Sequence, residues 1–286
     1  MQANANSSQT PKILMEGIFL GESPRWRDGK LWFGDWVAEA LYTLDEAGNH
    51  AVEARIVSLP FSLDWLPDAR LVVVNARENT LQRRETDGSF VTHADLSVLS
   101  PYGCNEIVVD ARGYIYVNNV NFDFPGGEFR PGFIGVVTPE GELRRVAEGL
   151  AFPNGMAITP DGRTLICAES FSKKLTAFDI GADGSLTNQR LWAQMAAWGA
   201  DGICFDAEGA VWAASGKACV RIREGGEVLQ RIEIDRFCFA CMLGGADGRT
   251  LFINAAEWTG AVAKPSDAPT GRVYAVRVEV PHAGRP

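Results

Sequence analysis

Hydrophobic residues along this chain come in short runs rich in Val, Ile, Leu, Trp and Phe, each ended by a polar turn built on Asp-Gly or a close variant. Helical periodicity is almost absent, which predicts an all-β chain. Six turns share one form: Arg27-Asp28-Gly29-Lys30, Pro67-Asp68-Ala69-Arg70, Asp110-Ala111-Arg112-Gly113, Pro160-Asp161-Gly162-Arg163, Asp206-Ala207-Glu208-Gly209 and Ala246-Asp247-Gly248-Arg249. The shared position falls at 29, 69, 113, 162, 209 and 248, giving gaps of 40, 44, 49, 47 and 39. A repeat of roughly 40–50 residues is the period of one propeller blade. Second turns at Gly48, Gly88, Gly141, Gly184 and Gly225 supply a further hairpin in each of five units. The pattern therefore predicts a six-bladed β-propeller with four-stranded blades; a stacked double sheet would not carry so long a sequential period.

Such a ring must close, or its edge strands stay unpaired. Ile13 to Phe19 can supply a strand beside Val273 to Val280 in the last blade. Residues 1–11 read as a disordered arm and 12–286 as a single propeller domain. Two connections, Asn119 to Pro131 and Ala255 to Pro269, exceed hairpin length and are candidate lids.

Just before four of the turns stand Glu22, Asn105, Asn154 and Asp201, seven residues ahead of the turn position in the first unit and eight in the others. In a ring these oxygen-bearing side chains converge on the channel. Each alone reads as a turn former; together they suit a hard divalent cation. The corresponding places in repeats two and six, Phe61-Ser62 and Ala240, are mostly non-ligating.

The net charge of −9 argues against nucleic acid or an anionic membrane as partner. No apolar run is long enough to span a bilayer. The N-terminal stretch lacks the basic and apolar regions of a signal peptide, so the chain is expected to be cytoplasmic. The six cysteines then read as buried thiols. Cys238-x-x-Cys241 lacks the second pair that would argue for zinc, although a zinc or redox role stays open. His50, His93 and His282 lie outside every motif, and there is no G-x-S-x-G elbow.

Three motifs resemble the metal-dependent propellers of the senescence-marker-protein, gluconolactonase and luciferin-regenerating-enzyme-like family. They are Gly21-Glu22-Ser23-Pro24-Arg25-Trp26, Phe152-Pro153-Asn154-Gly155-Met156 and the Asp201-Gly202 element ending at Gly209. Asn105-Glu106 resembles the family's Asn-Asp pair. The resemblance, from about Ile13 to Val280, implies one divalent metal ion held by Glu22, Asn154, Asp201 and Asn105. Ca²⁺ is first choice, with Mg²⁺, Mn²⁺, Zn²⁺ or Fe²⁺ as alternatives. It also implies hydrolysis of a small-molecule lactone or ester, with Asp201 as general base and Asn105 also touching substrate.

Sugar-lactone members carry Arg two residues before that Asn, where this chain has Gly103. Asp123 stands in loosely for a hydroxyl-binding acid. Aromatic residues expected near the mouth are Trp36, Phe61, Trp65, Phe122, Phe124, Phe171, Trp198, Phe239 and Trp258. Of these, Trp36, Phe122, Phe171 and Trp258 are expected to bind substrate. A substrate less polar than gluconolactone follows. Other chemistry on the same site, such as organophosphate or aryl-ester hydrolysis or a ring-opening lyase step, remains open. So does a non-catalytic metal-binding propeller.

Overall fold

The structure, a computed structural model, describes residues 10–258 and 268–284. Six four-stranded antiparallel sheets stand in a ring. Blade 1 comprises Gly21–Arg27, Lys30–Asp35, Ala40–Leu44 and His50–Arg55. Blade 2 comprises Phe61–Trp65, Leu71–Asn75, Thr80–Arg84 and Phe90–Asp95. Blade 3 is built from Ile107–Val109, Ile115–Asn119, Gly132–Val137 and Leu143–Leu150, and blade 4 from Pro153–Ile158, Thr164–Glu169, Lys174–Ile180 and Leu186–Gln194. Blade 5 holds Ile203–Phe205, Val211–Ser215, Ala218–Ile222 and Val228–Glu233. Blade 6 is composite: Phe237–Gly244, Thr250–Ala256 and Gly271–Arg277 are completed by Lys12–Ile18 from the other end of the chain. Lys12 pairs with Ala275 and Ile18 with Gly271, so the expected closing strand is present. A short 3₁₀ turn, Leu96–Val98, is the helix among the described residues.

The first hairpin turns all place the shared position in the left-handed region. Gly29, Gly113, Gly162, Gly209 and Gly248 have φ between 70° and 91°, and Ala69 adopts φ 70° without being glycine. The repeat thus reflects a backbone requirement that outlasts the residue that usually meets it. Apolar side chains pack between blade faces. One layer joins Leu41, Phe61, Leu63 and Val73 of blades 1 and 2; another joins Trp212, Cys219, Cys241 and Phe252 of blades 5 and 6. All six cysteines are buried, and none forms a disulfide.

The channel is left to the inner strands. Glu22 and Asn154 lie within theirs, while Asn105 and Asp201 stand two residues ahead of theirs. Asn154 and Asp201 are each followed by glycine, where adjacent inner strands come closest. A Cβ on Gly155 would meet Asp201 O at 2.5 Å, and one on Gly202 would meet Ala240 Cα at 2.7 Å. The Gly155 amide donates to Asp201 O at 3.2 Å, which ties the two donor-bearing segments directly.

Candidate active site

A cavity of about 550 Å³ opens at one end of the channel. Glu22, Asn105, Asn154 and Asp201 all line it, as do Asp123, Trp36, Phe122, Phe171 and Trp258. Every residue singled out as a candidate ligand or substrate contact thus faces one space. A second cavity, of about 320 Å³ and lined by Arg25, Asp64, Trp65 and Asp110, occupies the other end of the same inner strands.

Local irregularity aims the donors. The pairing of blade 1's first two strands slips between Glu22 and Arg25, and that of blade 4 between Pro153 and Met156. Each bulge breaks the strict alternation of a strand and re-aims a side chain. The Asn105 amide donates to Asn154 Oδ1 at 3.3 Å. The Asn154 amide reaches Ser170 Oγ at 3.4 Å, and Ser170 donates to Ala200 O at 2.8 Å. These links run through blades 3, 4 and 5.

Two carboxyls meet there in poor solvation. Burial, then the charges of Asp201 and Glu106, raise the Glu22 carboxyl well above its usual range. Asp201 is pushed up to about 8, first by burial and then by Glu106. Although Asp201 as a residue is partly exposed, its Oδ1 is sealed from solvent and has no hydrogen-bond partner. Buried polar atoms without partners are rare, and a cation would relieve both the repulsion and the orphaned oxygen. Among the described residues no cluster of three or more His, Cys, Asp or Glu could hold a metal, so any such site depends on the two asparagine oxygens. Two carboxylates and two amide oxygens suit Ca²⁺, Mg²⁺ or Mn²⁺ rather than a thiophilic ion. No Lys, Arg or His is among the described residues lining the cavity.

The walls are aromatic. Phe152 stacks on Phe171 at 4.4 Å between centroids, and Phe124 meets Phe152 edge-on at 4.9 Å. Phe122 touches Phe124, Phe129, Phe152 and Phe171. Phe122 to Pro125 come from the long connection of blade 3, which forms one wall. The other long connection lies largely outside the described residues, though Trp258 at its start lines the cavity and packs on Phe239. The proposed arm also falls mostly outside the described residues, since the first strand begins at Lys12.

Three aromatic residues expected at the mouth are elsewhere. Phe61 is fully buried between blades 1 and 2, close over Gly34. It lies within a regularly paired strand, opposite Asn75, and packs with Leu41, Leu63 and Val73. Trp65, at the far end of that strand, lines the opposite cavity and packs edge-on to Trp32. Trp198 is 54% exposed and packs on Phe237, outside the cavity lining. Conversely, Phe152 belongs to the wall, although in the sequence it stands only as the first residue of a motif. Its φ of 62° swings it out just before Pro153. Tyr102 and Leu59-Pro60 also line the cavity from loops that carry no periodic signal.

A family model for the SMP-30/Gluconolactonase/LRE-like region matches residues 20–257. The chain belongs to this family. It is 31% identical over 142 residues to the diisopropyl-fluorophosphatase of Loligo vulgaris, a match covering 43% of this chain and 44% of that enzyme. The chain therefore spans less than half of that relative's length in the match. Among solved structures, a gluconolactonase from Xanthomonas campestris superposes with TM-score 0.77 at 22% identity, covering 98% of this chain and 94% of its own. A calcium-binding regucalcin from Agrobacterium tumefaciens str. C58 superposes with TM-score 0.79 at 21% identity, covering 97% of each chain. At these identities the two structures establish a common fold.

Proposed function

We propose that the protein is a metal-dependent hydrolase that opens a lactone or related ester whose body is less polar than gluconolactone. One observation carries the reading: two poorly solvated carboxyls, one with an orphaned oxygen, face a cavity walled by phenylalanines. Membership of the family supports it. Glu22, Asn105, Asn154 and Asp201 would hold the ion. When bound, a divalent cation supplies an electrophile that polarises the carbonyl and stabilises the developing oxyanion.

The chain's own residues do the rest. Asp201 accepts the proton of the attacking water at its carboxylate, and the proton passes to the alkoxide released when the ring C–O bond breaks. Ser170 and Asn105 keep the Asn154 side chain fixed from two sides. Phe122, Phe152 and Phe171 bind the apolar body and exclude water. Asp123 at the wall accepts from a substrate hydroxyl. Without basic residues among its described lining, the cavity favours neutral substrates over carboxylates or phosphates.

Gly103 lines the cavity where sugar-lactone relatives carry arginine, and the place has no room for a side chain: a Cβ would lie 2.5 Å from Ala76 O. That favours the less polar substrate. The likeness to diisopropyl-fluorophosphatase supports a second reading, hydrolysis of a phosphofluoridate or aryl ester in the same cavity.

The deciding experiment is acid release, followed by pH indicator, across gluconolactone, alkyl and aryl lactones, aryl esters and a phosphofluoridate. It is run on chelated protein and after adding Ca²⁺, Mg²⁺, Mn²⁺, Zn²⁺ or Fe²⁺. Metal-restored hydrolysis of an aryl or alkyl lactone, at higher kcat/KM than gluconolactone, is expected. Comparable kcat/KM for both refutes the apolar preference, and silence on every lactone refutes the lactonase reading.

A further inference from the structure

Beneath the candidate cation site lies a buried ion pair that ties blade 1 to blade 3. Arg25 donates through Nη2 to Glu106 Oε1 at 3.1 Å and to Ile107 O at 2.7 Å. Ser23 Oγ donates to Glu106 Oε2 at 2.8 Å, and the Ile107 amide donates to Oε1 at 3.0 Å. Ser23, Arg25 and Glu106 are all buried. Every partner of Glu106's oxygens is a donor, which is the environment of an ionised carboxylate.

The location matters more than the pair itself. Ser23 follows Glu22, and Glu106 follows Asn105, so the clamp grips the residues next to two proposed ligands on non-adjacent blades. It also holds a strained segment. Ser23 has φ 49°, unusual for a residue with a Cβ, at the bulge that turns Glu22 into the cavity. The charges add a second effect. With Glu22 and Asp201 held ionised by a bound cation, they and Glu106 would make three carboxylates against the one Arg25 guanidinium, a sum of −2 that a divalent ion offsets.

We propose that Glu106 is a positioning residue that sets cation affinity, holding the Glu22 bulge in place and supplying a negative charge that Arg25 partly offsets. This rests on the reading of Glu22, Asn105, Asn154 and Asp201 as ligands. A pair that merely staples two blades would lose the same contact whichever partner is removed. A charge-setting pair responds with opposite signs.

The test is calorimetric titration of Ca²⁺ into chelated full-length protein, alongside melting curves with and without the ion. Glu106→Gln, which removes a charge and a contact one residue away from two proposed ligands, should weaken binding by about 10-fold or more, the lower end of the loss seen when support around metal ligands is removed. Arg25→Gln should tighten it severalfold despite lowering the metal-free melting temperature. The double variant should fall between the two single variants, and Glu106→Asp, which keeps the charge, should recover most of the affinity. Weakening by both single variants, or by neither, overturns the proposal. Should Glu106→Gln fail to fold, the sign of the change in Arg25→Gln alone decides between charge and staple. A wild-type protein that takes up no divalent cation overturns the ligand reading first, and the two failures are thereby distinguished.

Discussion

Raising the pH on the metal-stripped protein should destabilise it, and Asp201 is one of two carboxyls responsible. Burial first, and Glu106 second, place its carboxyl at about 8 rather than the ordinary 3.8. In the unfolded chain the group ionises near the ordinary value. Between those two values the native state keeps a proton that the unfolded state has released. Stability therefore falls as pH rises through that window and levels off above it. Ionising such a carboxyl in place costs on the order of 5 kcal/mol, at about 1.4 kcal/mol per pH unit. That is a ceiling, because Asp201 is partly exposed and water can relax toward it. A loss of about 2–4 kcal/mol between about pH 5 and about pH 8 is the expected outcome. For a chain of this size that is roughly 4–10 °C in melting temperature. Glu22, raised by burial and by Asp201 and Glu106, acts in the same direction. The assay is urea unfolding in chelator across this pH range, repeated with saturating Ca²⁺. A bound cation favours the ionised carboxylates, so its protection should grow with pH. Asp201→Asn carries no titratable proton there, so it should flatten the slope and leave the metal-free protein more stable than the parent at the alkaline end. Equal slopes for parent and variant refute the reasoning.

The same variant has a kinetic signature: Asp201→Asn keeps an amide oxygen but loses the base, so turnover should fall far more than metal content. Equal loss of both assigns Asp201 to ligation alone. Glu22→Gln removes a ligand charge and should weaken Ca²⁺ binding by at least about tenfold in calorimetry; unchanged affinity removes Glu22 from the ligand set. Phe171→Ala deletes a ring that is 51% exposed and stacked on Phe152. Losing an aromatic contact worth about 0.5–1.5 kcal/mol should raise KM for an aryl lactone roughly 2- to 10-fold and leave kcat in place. The same change for gluconolactone would count against an apolar subsite. Gly103→Ala forces a Cβ against the Ala76 backbone and should cost about 1–3 kcal/mol in denaturant unfolding. Gly103→Arg should accordingly fail to raise gluconolactone turnover, and an increase would show that blade 2 yields.

The blades were legible because their signal is a backbone one. A left-handed turn recurs at a fixed place, and even Ala69 reveals itself by its position in the series. The convergence of Glu22, Asn105, Asn154 and Asp201 on one cavity was legible for the same reason, since offset from that turn translates into depth in the channel. Side-chain direction was not. Phe61 occupies the offset of Asn105 and Asn154, yet is buried in the packing against Gly34. A bulge shifts phase by one residue and leaves little trace in composition. Phe152 and Tyr102 escaped for a related reason: loop residues reach the cavity by single unusual dihedrals or by chain path, which no period encodes. The Arg25–Glu106 pair joins residues 81 apart, a partnership that spacing cannot reveal.

The shared sixth blade has a consequence for the order of events in synthesis. Its outermost strand is made first, and the neighbour it must pair with, from Lys12 to Ala275, arrives 263 residues later. At about 5–20 residues per second, that strand waits roughly 13–50 s with no edge to join. Blades 1 to 5 can form as their hairpins emerge, but the ring stays an open crescent until Gly271–Arg277 has been made. A ribosome stalled anywhere short of residue 271 would therefore display two unpaired sheet edges instead of a closed ring.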